Sequence, residues 1–133
     1  MLDPQATLYH RLGGYDALAA FVDDFLPRVT SDPQIGVYWK GKCKDSMRRD
    51  RQLLVDFLCA ATGGPSTYIG RDMKTSHEGL GISDSDWDIL MRYARTTFDD
   101  LGVAENEKNE ALSAVDSLKG EIVEVHGTAK AAR

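Results

Sequence analysis

Glycine and proline punctuation constrains this chain more than any other feature. Gly13-Gly14, Pro33, Gly63-Gly64-Pro65 and Gly102 are residue types that stop or redirect helices. Between them, apolar side chains recur at spacings of three and four, the helical period, and never in the two-residue alternation of a strand. Residues 15–30 gather Leu18, Phe21, Val22, Phe25, Leu26 and Val29 on one face, and residues 46–61 gather Met47, Leu54, Phe57, Leu58 and Ala61. Residues 84–101 do the same with Trp87, Leu90, Met91, Ala94, Phe98 and Leu101, and residues 105–125 with Ala111, Val115, Leu118, Ile122 and Val125. A short helix is predicted over residues 5–12, and a single turn after Pro33 carries Ile35, Val37, Tyr38 and Trp39. The pattern is that of an all-α domain with two long helices early and two late.

Boundaries add detail. Ser83 is placed to cap the helix that follows it, and Asp84 and Asp86 suit the positive end of that helix. Pro27 removes a backbone donor and crowds the preceding turn, which predicts a kink or an early end there. Residues 40–46, rich in lysine and glycine, read as a loop, and residues 66–82 as a loop with one short helical piece around His77.

The length of 133 residues predicts one domain, with a core over about 7–125 and a frayed tail after Gly127. A net charge of -5 and a pI near 5.1 argue against nucleic-acid binding. Two cysteines are too few for a disulfide framework. Cys59, in an apolar helical run, reads as a buried free thiol. There is no apolar run of signal-peptide or membrane-span type, so a reducing cytoplasm and no membrane partner are expected.

His77 is the residue with most chemistry attached. A lone histidine on a short segment between two apolar helices can supply one imidazole to one metal, which is what a haem iron needs on its proximal side. The residues around it form an ordered set: Leu12-Gly13-Gly14, then Gly63-Gly64-Pro65 with Tyr68-Ile69-Gly70, then Met73-Lys74-Thr75-Ser76-His77. Taken together, from about residue 7 to 125, this set resembles the group I truncated haemoglobins.

The resemblance implies a two-over-two helical sandwich around haem b, with His77 as the iron ligand. His10 matches no ligand position of that family, and His126, where some relatives attach haem covalently, lies at the end of the last helix. The implied haem-contacting residues are Phe25, Leu26, Tyr38, Trp39, Leu53, Leu54, Leu58, Met73, Leu80, Ile82, Trp87 and Leu90. Tyr68, Arg71 and Arg48 are implied near the two propionates, which call for donors or cations.

On the distal side the chain departs from the family pattern. Many group I members carry a tyrosine in the second helix and a glutamine in the helix across the ring, both donating to bound O2. Leu26 and Leu54 stand at those positions, and Leu53 where some relatives have a sixth ligand. A hydrogen bond to a charged group is worth roughly 1.5–3 kcal/mol, or one to two decades in affinity. An apolar distal pocket around five-coordinate iron, holding O2 weakly and CO and NO less affected, is therefore expected. Gln52, Tyr38 and Asp50 are the polar side chains that could still reach the ligand, and Met47 or a lysine could act as a sixth ligand.

Three function classes follow. The first is a haem protein that binds diatomic gases, with an electron-donating reductase as a further partner if the iron is cycled. The second is a haem-dependent enzyme, an NO dioxygenase or peroxidase, whose proton-moving group could only be Asp50. The third is a haem-free helical interaction module.

Overall fold

The computed structural model describes residues 7–64 and 77–125. Helix α1 spans Leu8–Leu12, α2 Gly14–Thr30, a 3-10 helix Ile35–Trp39, α3 Lys44–Ala61, α4 Asp84–Asp100, α5 Glu105–Asp116 and α6 Lys119–Ile122. Helix α2 packs against both α3 and α4, α4 packs against α5, and α1 lies across α2 and α5. The two early and two late long helices are thus present, paired as α2 with α3 and α4 with α5.

The predicted face of α2 is the centre of the core. Leu18, Phe21, Val22, Phe25, Leu26 and Val29 are all buried, together with Val55 and Cys59 from α3, Ala94 and Phe98 from α4, and Ala111 and Leu112 from α5. Phe21 stacks on Phe98 with ring centroids 4.3 Å apart and on Phe25 at 5.2 Å, so one aromatic column joins α2 to α4. Each large side chain buried here contributes about 1.5–3 kcal/mol of transfer free energy. A second, smaller cluster joins Ile82, Trp87, Ile122 and Val123, and Tyr38, Leu90 and Met91 border both clusters.

The two glycine pairs meet at one side chain. Gly13 and Gly14 have φ of 111° and 81°, left-handed values that let α1 end and α2 begin with Gly13 alone between them. A Cβ on Gly64 would lie 2.5 Å from the Tyr9 ring, and the Tyr9 N–H donates to Thr62 O at 2.8 Å. The end of α3 is thereby pinned to α1.

Several boundaries differ from expectation. Helix α2 runs through Pro27 to Thr30 instead of ending early; the proline is exposed, one turn from the helix end, where few hydrogen bonds are at stake. Helix α3 begins at Lys44, which shortens the expected 40–46 loop, with Cys43 at its N-cap. The last helix is not continuous over 105–125. It breaks after Asp116, resumes as α6, and then runs extended into Val125, which forms an isolated bridge with Ser83. Leu101, assigned to the apolar side of α4, is exposed. The Ser83 cap is present in full: Asp86 N–H donates to Ser83 Oγ at 3.1 Å, and Ser83 N–H donates to Asp86 Oδ2 at 3.0 Å, a reciprocal box.

Candidate functional site

His77 has helical backbone and is half-buried, and the chain turns immediately after it. Leu80 N–H closes the turn on His77 O at 3.3 Å. Gly79 and Gly81 follow with φ of 84° and 69°, and their N–H groups converge on the Glu124 carboxylate at 3.0 and 2.8 Å. Those two backbone donors hold the Glu124 carboxyl below the usual glutamate range. Ile82 O accepts from Glu124 N–H and Val125 N–H at 2.8 and 3.0 Å, so the loop carrying His77 is laced to the C-terminal segment.

Beyond this loop, α4 contributes Trp87, which is buried, and Leu90, which is half-buried. The Trp87 indole donates to Asp116 Oδ1 at 2.9 Å, so its ring is fixed between α4 and α5. Ile82 is buried beside it. Leu80, expected to close the pocket edge with Ile82, is instead 45% exposed. Tyr68, Arg71 and Met73, and His126, considered above for covalent attachment to haem, lie outside the described residues.

On α3, Leu53, Leu54, Phe57 and Leu58 form a strip that stays half-buried, while the neighbouring strip of Val55 and Cys59 is fully buried. Phe25 and Leu26 are buried on α2, and Tyr38 and Trp39 are half-buried on the 3-10 helix. Three polar side chains near this region are engaged with other partners. Tyr38 donates its hydroxyl to Asp86 Oδ2 at 2.6 Å. Gln52 Nε2 donates to Tyr15 Oη and to Asp56 Oδ1, both at 3.0 Å. Asp50 pairs with Lys42 at 2.8 Å. Met47 lines an open cleft of about 430 Å³ with Val22, Leu26, Pro27, Arg48 and Arg51, on the side of α3 that meets α2. Arg48 is largely solvated there and pairs with Asp45 at 3.5 Å.

Residues 7–124 match the family model described as bacterial-like globin. The chain belongs to that family. Among curated relatives it is 33% identical to the group 1 truncated hemoglobin GlbN of Mycolicibacterium paratuberculosis, over 88% of this chain and 84% of that one. It is 32% identical to the group 1 truncated hemoglobin LI410 of Chlamydomonas moewusii, over 88% of this chain and 68% of that one. The crystal structure of the Fe(III) truncated hemoglobin of Tetrahymena pyriformis superposes with a TM-score of 0.82 at 27% identity, covering 89% of this chain and 98% of that one. These likenesses make this a group I truncated globin with the two-over-two fold. A further neighbour is the Synechococcus 2/2 hemoglobin solved in the cyanomet state with covalently attached heme, with a TM-score of 0.77, 27% identity, and coverage of 86% of this chain and 94% of that one.

Membership in the globin family implies haem, and the residues of this truncated globin fit that group. Four apolar side chains on two successive turns of α3 are left half-covered, an arrangement that a flat apolar ring would complete. On the braced loop, the half-buried imidazole of His77 is a donor of the kind that a haem iron takes. No helix among the described residues is long and apolar enough to cross a membrane.

Two residues that brace this region escaped the sequence reading. Asp86 was legible as an acid at the positive end of α4, but its role in the capping box and as acceptor for Tyr38 and for Gln34 Nε2 at 2.6 Å was not. Glu124 carries no local motif at all.

Proposed function

We propose that this truncated globin holds haem b through His77 and binds diatomic gases beneath an apolar, donor-poor distal surface. When bound, the iron porphyrin supplies an open coordination position for O2, CO or NO. The chain supplies the rest. His77 would provide the axial nitrogen from a loop braced by Glu124. Trp87, Leu90 and Ile82 would pack on one side, and Trp39, Leu54 and Leu58 on the other, excluding water. Tyr68, Arg71 and Met73 keep their expected roles by resemblance alone.

One observation carries this reading: Tyr38, Asp50 and Gln52, the three polar groups that could have reached a distal ligand, each have a different partner, while Leu26 is buried. With no donor supplied, O2 loses roughly 1.5–3 kcal/mol of charge-assisted stabilisation. Asp50, held by Lys42, is poorly placed for the proton transfers of peroxidase chemistry, which favours ligand binding over the enzyme reading.

Absorption spectra of the ferric, ferrous and CO-bound protein test the cofactor, and stopped-flow rates test the distal side. The expected result is an intense violet band, five-coordinate ferrous iron and fast O2 release. A colourless protein that ignores added hemin overturns the reading, and very slow O2 release overturns its distal half.

A further inference from the structure

The turn that follows His77 is bound to the far end of the chain by one side chain. Glu124 lies just beyond α6, 47 positions from the histidine by numbering, and its two carboxylate oxygens take the N–H groups of Gly79 and Gly81 separately, Oε2 and Oε1 in turn. Both glycines adopt left-handed backbone, which turns alternate amides toward a common point and which residues with a Cβ resist. The backbone bonds of Ile82 and Asp84 to residues 124 and 125 continue the same tie. Glu124 is exposed and makes no contribution to either apolar cluster, so its side chain can be altered without opening the core.

We propose that Glu124 is a positioning residue for His77: its carboxylate fixes the 79–81 turn and so sets the tilt and stiffness of the imidazole's attachment to iron. This rests on the haem reading above. A metal ligand's orientation is set by the groups that fix its supporting atoms. Here the C-terminal support of His77 is the four residues 78–81, held by two charge-assisted hydrogen bonds. Their removal leaves a turn that still connects α4 to the ligand but can rock.

The test compares wild type with Glu124→Ala and Glu124→Gln, using Glu121→Ala as a control that removes an exposed carboxylate one turn earlier. The readouts are the iron–histidine stretching band in the resonance Raman spectrum of the ferrous protein, haem transfer to excess apomyoglobin, and amide exchange at Gly79 and Gly81. Glu124→Ala should broaden and lower the stretching band, speed haem transfer on the order of tenfold, and expose both amides. Glu124→Gln keeps one acceptor oxygen and turns an NH2 toward the other glycine, so it should shift all three readouts the same way by less. Glu121→Ala should match wild type. A wild-type band and transfer rate in Glu124→Gln overturn the assignment whether or not Glu124→Ala folds, and so does an equal shift in Glu121→Ala. A wild-type protein that takes up no haem overturns the haem reading and this assignment together; coloured variants with unchanged spectra overturn the assignment alone.

Discussion

The Tyr38 hydroxyl sits 2.6 Å from Asp86 Oδ2, which joins the 3-10 helix to the first turn of α4. The same carboxylate closes the Ser83 capping box and accepts from Gln34, so a buried charge is compensated from three directions. The contact also commits the hydroxyl to Asp86. Tyr38→Phe should therefore destabilise the protein by about 1–3 kcal/mol, read as a lowered urea midpoint. Its O2 release rate should stay at the wild-type value. A large acceleration would show that Tyr38 had been the distal donor.

On the proposed reading of the distal side, Leu26 is the position at which a donor can be introduced. It is buried at 9% exposure on α2, among Val22, Met47 and Pro27. Leu26→Tyr adds volume, so a stability loss of about 1–3 kcal/mol is expected from overpacking. If its hydroxyl reaches the ligand, O2 release should slow by roughly ten- to a hundredfold, with CO release changed far less, because CO carries little charge. Stopped-flow displacement of O2 by CO measures both. Equal changes for the two ligands would point to altered access and not to a hydrogen bond.

Acid should weaken this fold before base does. Asp32 is held below the usual carboxylate range, first by the Tyr93 hydroxyl at 2.6 Å and then by the Ile35 and Gln34 amides. Asp23, through Arg51, Glu110, through Arg11, and Glu124 are lowered as well. A carboxylate with a lowered folded pKa binds fewer protons in the folded state. Its stabilisation is complete above the unfolded value, about 4, and is lost as pH falls through the folded value. The partner group has the opposite sign: Tyr93 is raised, chiefly by its bond to Asp32, so its share is lost only as pH rises through that raised value. Thermal midpoints should be level through neutral pH and fall steeply below about pH 4. Asp32→Asn should make the acid limb shallower without abolishing it, since the other three carboxylates remain.

What the sequence made legible was local. The Ser83 cap, the buried face of α2 and the glycine ends of α1 and α3 depend on residues within one or two turns of each other. The break after Asp116 has no such signal: neither proline nor glycine stands at Ser117 or Leu118. It follows from Ile122 and Val123 burying against Ile82 and Trp87, and from Val125 pairing beside Ser83, contacts about 40 positions apart. The site divides in the same way. The short helical piece at His77 and the apolar strip on α3 could be read from spacing and motif. The engagements of Gln52 with Tyr15 and Tyr38 with Asp86 span 37 and 48 positions, and no periodicity encodes them. Pro27 shows the reverse error, because a residue unfavourable in a helix interior costs less when exposed near the end.

His77 itself gives the most direct test of the cofactor assignment. If its imidazole is the axial ligand, His77→Gly removes the nitrogen and leaves a side-chain-sized space beside a turn that Glu124 and Ile82 still hold in place. The half-buried setting of the residue gives a small molecule a path into that space. The variant should bind hemin at least roughly tenfold more weakly, and its ferrous spectrum should lose the five-coordinate histidine signature. Added imidazole should restore both, while a bulkier substituted imidazole should do so poorly. His10→Gly, on the exposed surface of α1, should behave as wild type in the same titration. Haem binding that survives His77→Gly without imidazole would move the ligand to another residue and remove the basis for the proximal assignment.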